Sequence, residues 1–350
     1  MPRPTAQDLA ERLGVSTATV SRALNGHRHV RKETRERVEL AAREAGYQPN
    51  VLARALRREE SKLVGLIVPD VSSEFFAAAT AVLQSALGNH GYQLLLGVSR
   101  DDPEVDRCLL LQLVQQRVDG IVHVPCTPDG AAFLQDFAGA PPVVELNRRS
   151  TALHADTVTP EDREGATIAT HHLLELGHTR IAAIGGYPDV STTKERMAGF
   201  LDAIEAVGLA DSGQTLAREY SVCWGYEAAK RLLMSSEPPT AIFATNTQLT
   251  AGVLQAIADE GQRAPSDLSV VGFDDPPWYQ ACQPGITTYA DPLRQMAELT
   301  SELLLRRMSS AGDAGSARAH CRLSGELIVR GSTGPPVRTG RGRVAQAGRA

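Results

Sequence analysis

The sequence predicts a small all-α helix-turn-helix head followed by a two-lobed α/β body with parallel sheets. Three observations lead there. Residues 5–25 hold two short helix-like stretches separated at Gly14. From residue 62 onward, apolar strand-like runs alternate with amphipathic stretches, and the alternation restarts near residue 160. The charge is also divided. Residues 1–58 hold 12 Lys/Arg against 6 Asp/Glu, and residues 59–337 hold 20 against 35, within a net charge of −5 over 350 residues. A chain of this length suits two or three domains. A basic head on an acidic body implies that only the head meets a polyanion.

In the head, Thr5 with Asp8 three residues later makes a helix start, a hydroxyl cap with an acid in the first turn. Leu9, Ala10 and Leu13 supply an apolar face, Gly14 breaks the helix, and Ser16 can cap a second helix beginning at Thr17. At about 100° per residue, Val20, Ala23 and Leu24 fall on the side facing the first helix. Ala18, Ser21, Arg22 and Asn25 fall on the other side. That outer face has one long donor among small groups and lacks the Glu/Lys pairs of a merely solvated helix. Small residues let a helix approach a groove closely, and arginine can bond guanine O6 and N7. A third helix is expected from about Lys32 to Ala45, with Val38, Leu40, Ala41 and Ala45 among its apolar positions and Gly46 as its stop. Pro49 disfavours helix at Gln48. The segment NVLARALRR that follows is too short to be a stable helix alone and suits folding on a partner.

TAQDLAERLGVSTATVSRALNG, VRKETRERVELAAREAGYQPN and LARALR resemble the DNA-binding head and hinge of the lactose-repressor (LacI/GalR) family of bacterial transcription regulators. The resemblance implies that the second helix lies in the major groove, with Thr17, Ala18 and Arg22 at base edges. Ser16, Thr19, Ser21, Asn25 and Thr34 would then sit near phosphates, and Thr5, His29, Asn50 and Ala53 join the DNA-binding set. The hinge would form a helix only on DNA and, paired with its dimer mate, insert Leu56 into the minor groove. An apolar wedge of that kind unstacks a base step and kinks the duplex. Many members carry larger side chains where this chain has Thr17 and Ala18, so readout is expected to lean on Arg22, the thymine methyl and DNA shape.

The body reads as strands at 63–68, 92–98, 119–124 and 141–146, with helices near 75–88 and 103–117. After the restart come a helix at 162–176, a strand at 180–185, a helix at 193–207 and strands near 241–246 and 268–275. Apolar strands alternating with amphipathic helices imply parallel sheets covered on both faces. In such sheets ligands sit beyond the carboxyl ends of the strands. Asp70, Ser72, Ser73, Phe75 and Phe76 follow the first strand; Asn147, Arg148 and Arg149 follow VVEL; Asn246 ends IFATN; Asp274 and Asp275 end VVGFDD. Arg196 lies in STTKERMAGF. A guanidinium, an amide and carboxylates beside aromatic rings suit a small polyhydroxylated ligand.

These segments resemble the effector-binding core of the same family, which is periplasmic-binding-protein-like. By that resemblance Ser72, Phe75, Phe76, Asn147, Arg196, Tyr220, Asn246 and Asp274 line the cleft. Ser73-Glu74 stands where many members have Asn-Pro, and Trp278 is either a stacking wall or surface packing. The expected domains are a helix-turn-helix domain at 1–48, a hinge at 49–61, a core at 62–337 and a basic, disordered tail at 338–350.

Other chemistries are weaker. His171 and His172 are adjacent and point to different sides of a helix, so a metal pair is not expected. GGYPDVSTTK lacks the order of a phosphate loop, and no GxSxG elbow accompanies the Ser, His and Asp residues. Asp274-Asp275 reads as ligand contact rather than an acid/base pair. The five cysteines form no CxxC pair and are expected as reduced thiols. No apolar run nears a membrane span, and MPRPTAQDLAERLG carries no apolar signal segment, so a cytoplasmic protein is expected. The expected function is that of a regulator, most simply a repressor of carbohydrate-uptake or catabolic genes, with no enzymatic activity and no cofactor. Its partners would be a pseudo-palindromic double-stranded DNA operator, a small-molecule effector (a sugar) and a second copy of itself. The alternatives are a solute-binding protein without regulatory role and a regulator responding to a nucleoside or purine. The tail lacks a leucine heptad, which favours dimers over tetramers.

Overall fold

The computed structural model describes residues 4–24, 29–47, 60–137, 139–151, 155–209, 213–309 and 317–336. Asn25, Asn50, Ala53 and Leu56, most of the expected hinge, and the expected tail lie outside the described residues. The chain divides into two compact units, Met1–Lys62 and Leu63–Ala350.

The first unit packs α1 (Ala6–Leu13), α2 (Thr17–Leu24) and α3 (Lys32–Glu44) around Leu9, Ala10, Val20, Ala23, Val38, Ala41 and Ala42. Thr5 and Asp8 form a reciprocal capping box: Asp8 N donates to Thr5 Oγ1 at 3.2 Å and Thr5 N donates to Asp8 Oδ2 at 2.7 Å. Gly14 closes α1 at φ 66°, a conformation that costs glycine little. Leu40 departs from the expected core. It is 60% exposed, because two residues of helix carry it about 200° away from Val38.

The first lobe of the second unit contains β1 (Leu63–Val68), α4 (Glu74–Gly88), β2 (Gln93–Val98), α5 (Pro103–Gln115), β3 (Gly120–His123), β4 (Val143–Leu146) and β5 (Asp156–Pro160). The chain then builds the second lobe from α6 (Asp162–Glu175), β6 (Ile181–Gly185), α7 (Ser191–Ala206), β7 (Gly213–Ala217), α8 (Val222–Leu233), β8 (Ala241–Ala244), α9 (Thr247–Asp259), β9 (Ser269–Phe273), α10 (Pro277–Ala281) and β10 (Thr287–Ala290). It returns to the first lobe for α11 (Leu293–Ser309) and β11 (His320–Leu323), and crosses back for β12 (Glu326–Ile328). The seam near residue 160 is therefore one of three crossings.

The first sheet runs β11-β5-β4-β3-β1-β2, wholly parallel. The second runs β12-β10-β9-β8-β6-β7, parallel except for the antiparallel edge strand β12. Both are covered on both faces. In the first lobe, α4 and α11 bury Leu83, Leu87, Met296 and Leu304 against Val64, Leu66 and Val122, while α5 buries Leu110 and Leu113 against Ile67 and Ile121. In the second, α8 and α9 bury Trp224, Ala228 and Val253 against Ile184 and Ile242, while α6 and α7 bury Ala166 and Phe200 against Ile181 and Phe243. Helices α8 and α9 touch at glycines: a Cβ on Gly252 would lie 2.2 Å from Val222 O.

Candidate functional site

On the head, Ser16, Thr17, Ala18 and Arg22 are exposed, as α2 turns Val20 and Ala23 inward. Thr19 and Ser21 are half-buried. Ser16 caps the helix, its Oγ accepting from Thr19 N at 3.1 Å. Thr34 is half-buried in the first turn of α3, and His29 is exposed before it. The Thr5 hydroxyl is committed to Asp8, donating to Oδ2 at 2.8 Å.

In the second unit, a cleft of about 510 Å³, open solvent included, lies beyond the carboxyl ends of the strands. Phe75, Phe76, Asn147, Arg196, Tyr220, Asn246 and Asp274 all line it, with Pro69, Asp70, Ser73, Asp101, Arg148, Thr192 and Gln248. Ser72 does not. It is exposed, and its amide and hydroxyl both donate to the Asp70 carboxylate at 2.8 Å, leaving Ser73 on the cleft wall. Asn147 and Asp274 follow β4 and β9 directly with φ of 65° and 63°. Asn and Asp tolerate this left-handed conformation better than most residues.

Arg196 is 3% exposed. Its Nε donates to Asp162 Oδ1 at 2.6 Å, Nη1 to Thr245 O at 2.6 Å and Nη2 to Asp291 Oδ2 at 3.3 Å. The guanidinium carbon lies 3.7 Å from the centre of the Phe273 ring. Burial opposes its charge, and the carboxylates of Asp162 and Asp291 outweigh it, so its pKa is raised. Burial pushes Asp162 up to about 6 against the pull of Arg196. Asp274 and Asp291 are raised by burial as well.

The remaining polar groups are partly committed. Asn246 caps α9, its Oδ1 accepting from Leu249 N at 2.9 Å, which leaves its amide nitrogen for the cleft. The Tyr220 hydroxyl lies 3.0 Å from Thr192 Oγ1 and 2.7 Å from Thr193 Oγ1. Arg148 forms a two-pronged ion pair with Asp101 and stands 5.4 Å from the Tyr220 ring centre. Phe75 and Phe76 meet edge to face at 5.3 Å.

Two pairs of candidates are resolved by their surroundings. Asp275 turns away from Asp274 to pair with Arg330 through two hydrogen bonds of 2.8 Å, so the adjacent carboxylates do not form a catalytic pair. His172 Nε2 lies 2.9 Å from Thr333 Oγ1, a structural contact. Trp278 packs on Tyr279 at 4.5 Å rather than on the cleft. Among the described residues no cluster of His, Cys, Asp or Glu has metal-binding geometry, and no helix is long and apolar enough to cross a membrane. Sequence reasoning missed Asp162, Asp291, Asp101 and Gln248. The signal for the first two was present, an acid just past the short strands DTVTP and TTYA.

An exposed, nearly bare helix face in a three-helix head, carried on the same chain as a two-lobed body with a polar cleft, defines a ligand-responsive DNA-binding regulator. Residues 5–50 match the lacI family of bacterial regulatory proteins, and residues 170–333 match the periplasmic binding protein-like domain. The chain is 33% identical over 331 residues to the HTH-type transcriptional repressor CytR of Escherichia coli K12, covering 94% of this chain and 96% of that one. It is 34% identical over 310 residues to the repressor PurR of Erwinia tasmaniensis, covering 87% and 91%. Its structure is similar to the lac repressor dimer bound to operator and the anti-inducer ONPF, with a TM-score of 0.82, 27% identity and coverage of 95% and 100%. It is also similar to a LacI family regulator from Enterococcus faecium with bound ribose, with a TM-score of 0.70, 26% identity and coverage of 78% and 99%. The chain belongs to the lacI family of bacterial regulatory proteins; it is a regulator of transcription, and its relatives are regulators rather than enzymes.

Proposed function

We propose that this chain is a cytoplasmic, dimeric repressor whose hold on a pseudo-palindromic operator is set by a small sugar in the interlobe cleft. The observation that carries the effector reading is the arrangement at Arg196, where a buried guanidinium, several carboxylates and an aromatic wall meet at the strand ends. Hydroxyl groups bond such a set well, while a flat sugar face stacks on rings. On the head, Thr17, Ala18 and Arg22 would read bases and Ser16, Thr19, Ser21 and Thr34 would meet phosphates. The proposed division is a reading head at 1–48, a hinge at 49–61 and an effector and dimerisation core at 62–337. A dimer places two heads on half-sites about one helical turn apart.

The effector acts by preferring one lobe arrangement. Coupling of this kind is typically worth about 1–3 kcal/mol and is reciprocal. The Phe75 and Phe76 wall favours a second reading, in which a nucleoside stacks its base there. The test is fluorescence anisotropy with the DNA upstream of the protein's own gene, with and without sugars and nucleosides. Tight, sequence-specific binding altered by one of these ligands is the expected result. Binding that no ligand alters would remove the effector reading, and no preference over scrambled DNA would remove the operator reading.

A further inference from the structure

Around Arg196 the acceptors outnumber the donors. Asn147 Oδ1, Asp274 Oδ1 and Asp291 Oδ1 are buried acceptors with no hydrogen-bond partner, and the Thr245 hydroxyl is unpartnered among them. All four residues line the cleft or touch Arg196. A buried polar group left unmatched is costly, and three unmatched acceptors in one place describe a surface short of donors.

The charges point the same way. Asp162 from the start of α6 and Asp291 from the end of β10 pair with one guanidinium, and Asp274 from the end of β9 lines the same cleft and acts on it electrostatically. Glu195 on α7 and Glu74 on α4 add negative potential toward Asp162 and Asp274, with Glu195 itself paired to Arg149. Arg148, the other buried cation on the cleft, is held by Asp101. Tyr220 and Tyr289 stand nearby, the hydroxyl of the first beside those of Thr192 and Thr193 and the hydroxyl of the second accepting from Gly325 N. Three carboxylates cannot all ionise cheaply beside a single cation, since like charges disfavour the ionised form.

We propose that the Asp162, Asp274 and Asp291 trio selects an uncharged, hydroxyl-rich effector over phosphorylated ones, and that it holds a proton which such an effector displaces to solvent. The proposal rests on the effector reading above and names the chemistry that reading requires. Of the trio Asp274 lines the cleft, and a hydroxyl donating to it stabilises its ionised form, so the carboxyl proton held by the trio leaves as the ligand binds. The titration belongs to the trio as a unit. A phosphate would bring acceptors and negative charge to a place that already has an excess of both. A free pentose and a nucleoside share the required hydroxyls.

The test uses the full chain and isothermal titration calorimetry with D-ribose, uridine, adenosine, D-ribose 5-phosphate and putrescine, in buffers of different ionisation heat between pH 5.5 and 8. The expected result is binding of ribose or a nucleoside with release of a proton. Affinity should rise with pH by up to about tenfold per unit while the trio titrates. Ribose 5-phosphate should bind at least about tenfold more weakly than ribose, since each 1.4 kcal/mol is tenfold. Ribose alone separates the pentose source from the nucleoside source. Asp291→Asn should bind without proton release or pH dependence. Proton-free binding, equal affinity for the phosphate, or preference for putrescine overturns the proposal. Infrared spectroscopy of the unliganded protein supplies an arm that needs no ligand: a protonated-carboxyl band at pH 7 that Asp291→Asn removes supports the proposal, and the lack of any such band overturns it. If none of the probes binds while the band is present, the effector reading fails and the shared proton stands.

Discussion

Gln248 Nε2, on α9 of the second lobe, donates to Asp70 Oδ2, at the end of β1 in the first lobe, across 2.9 Å. Arg149 makes a second bridge, its Nη2 donating to Glu195 Oε1 at 2.9 Å and its amide to Ser191 Oγ at 3.1 Å. The lobes are thus tied on two sides of the cleft by side chains that also border the site.

Removing the first tie should favour lobe opening. A hydrogen bond of this kind is worth about 1 kcal/mol net, or roughly a fivefold shift between open and closed forms. Unliganded Gln248→Ala is expected to show a larger radius of gyration than wild type by small-angle X-ray scattering, with little change in melting temperature. An unchanged scattering profile would mean that Gln248 does not hold the lobes.

Arg196→Ala is expected to destabilise the second lobe as well as to weaken effector binding. It strands Asp162 and Asp291 in the interior without their cation. Breaking a buried pair from one side costs about 3–5 kcal/mol, which calorimetry would read as a lower melting temperature. Asp162→Asn added to Arg196→Ala should recover part of the loss, because it removes one of the stranded carboxylates.

Arg22→Ala addresses the head alone. Losing one bidentate base contact should cost about 1–3 kcal/mol of discrimination between operator and scrambled DNA. Nonspecific affinity should change little, and effector affinity should be unaltered. Anisotropy titrations at several salt concentrations measure both. Unchanged operator choice would remove α2 from the groove.

The imidazole of His178 predicts a pH effect on folding. It is buried, with Nδ1 2.8 Å from Thr240 Oγ1 and Nε2 2.9 Å from Gly334 O. Burial holds its pKa below the usual value, with His172 acting in the same direction and the Gly334 carbonyl opposing. A folded pKa below the unfolded one of about 6.5 gives stability that is present above the unfolded value and lost as pH falls through the folded one. Asp162, pushed up to about 6, acts in the opposite sense: its contribution is present on the acid side and lost as pH rises through that value. The readout is therefore the difference between wild type and His178→Gln in thermal denaturation from pH 7.5 to 5. Wild type should lose more stability on acidification than the variant does.

The head was legible because its signals are local. The Thr5 cap, the Gly14 stop and the inward Val20 and Ala23 each act within a turn or two of helix. Leu40 shows the limit: an apolar residue within a helix says nothing of its face until its angle from Val38 is counted. Strand ends in the body were legible too, since short apolar runs stop where the chain reaches the cleft, and this located Asn147, Asn246 and Asp274.

Which residues meet there was decided by the tertiary structure. Arg196, Asp162 and Asp291 come from α7, the start of α6 and the end of β10, and only parallel crossovers bring those ends to one edge. The return of α11 and β11 to the first lobe had no local signature either, because an amphipathic helix does not encode which sheet it covers. By itself the sequence determined the helices, the strands and the chemistry available at their ends. The fold determined that two carboxylates pair with one guanidinium while a third lines the same cleft, and so what the cleft lacks, because charge balance and hydrogen-bond satisfaction belong to the assembled site.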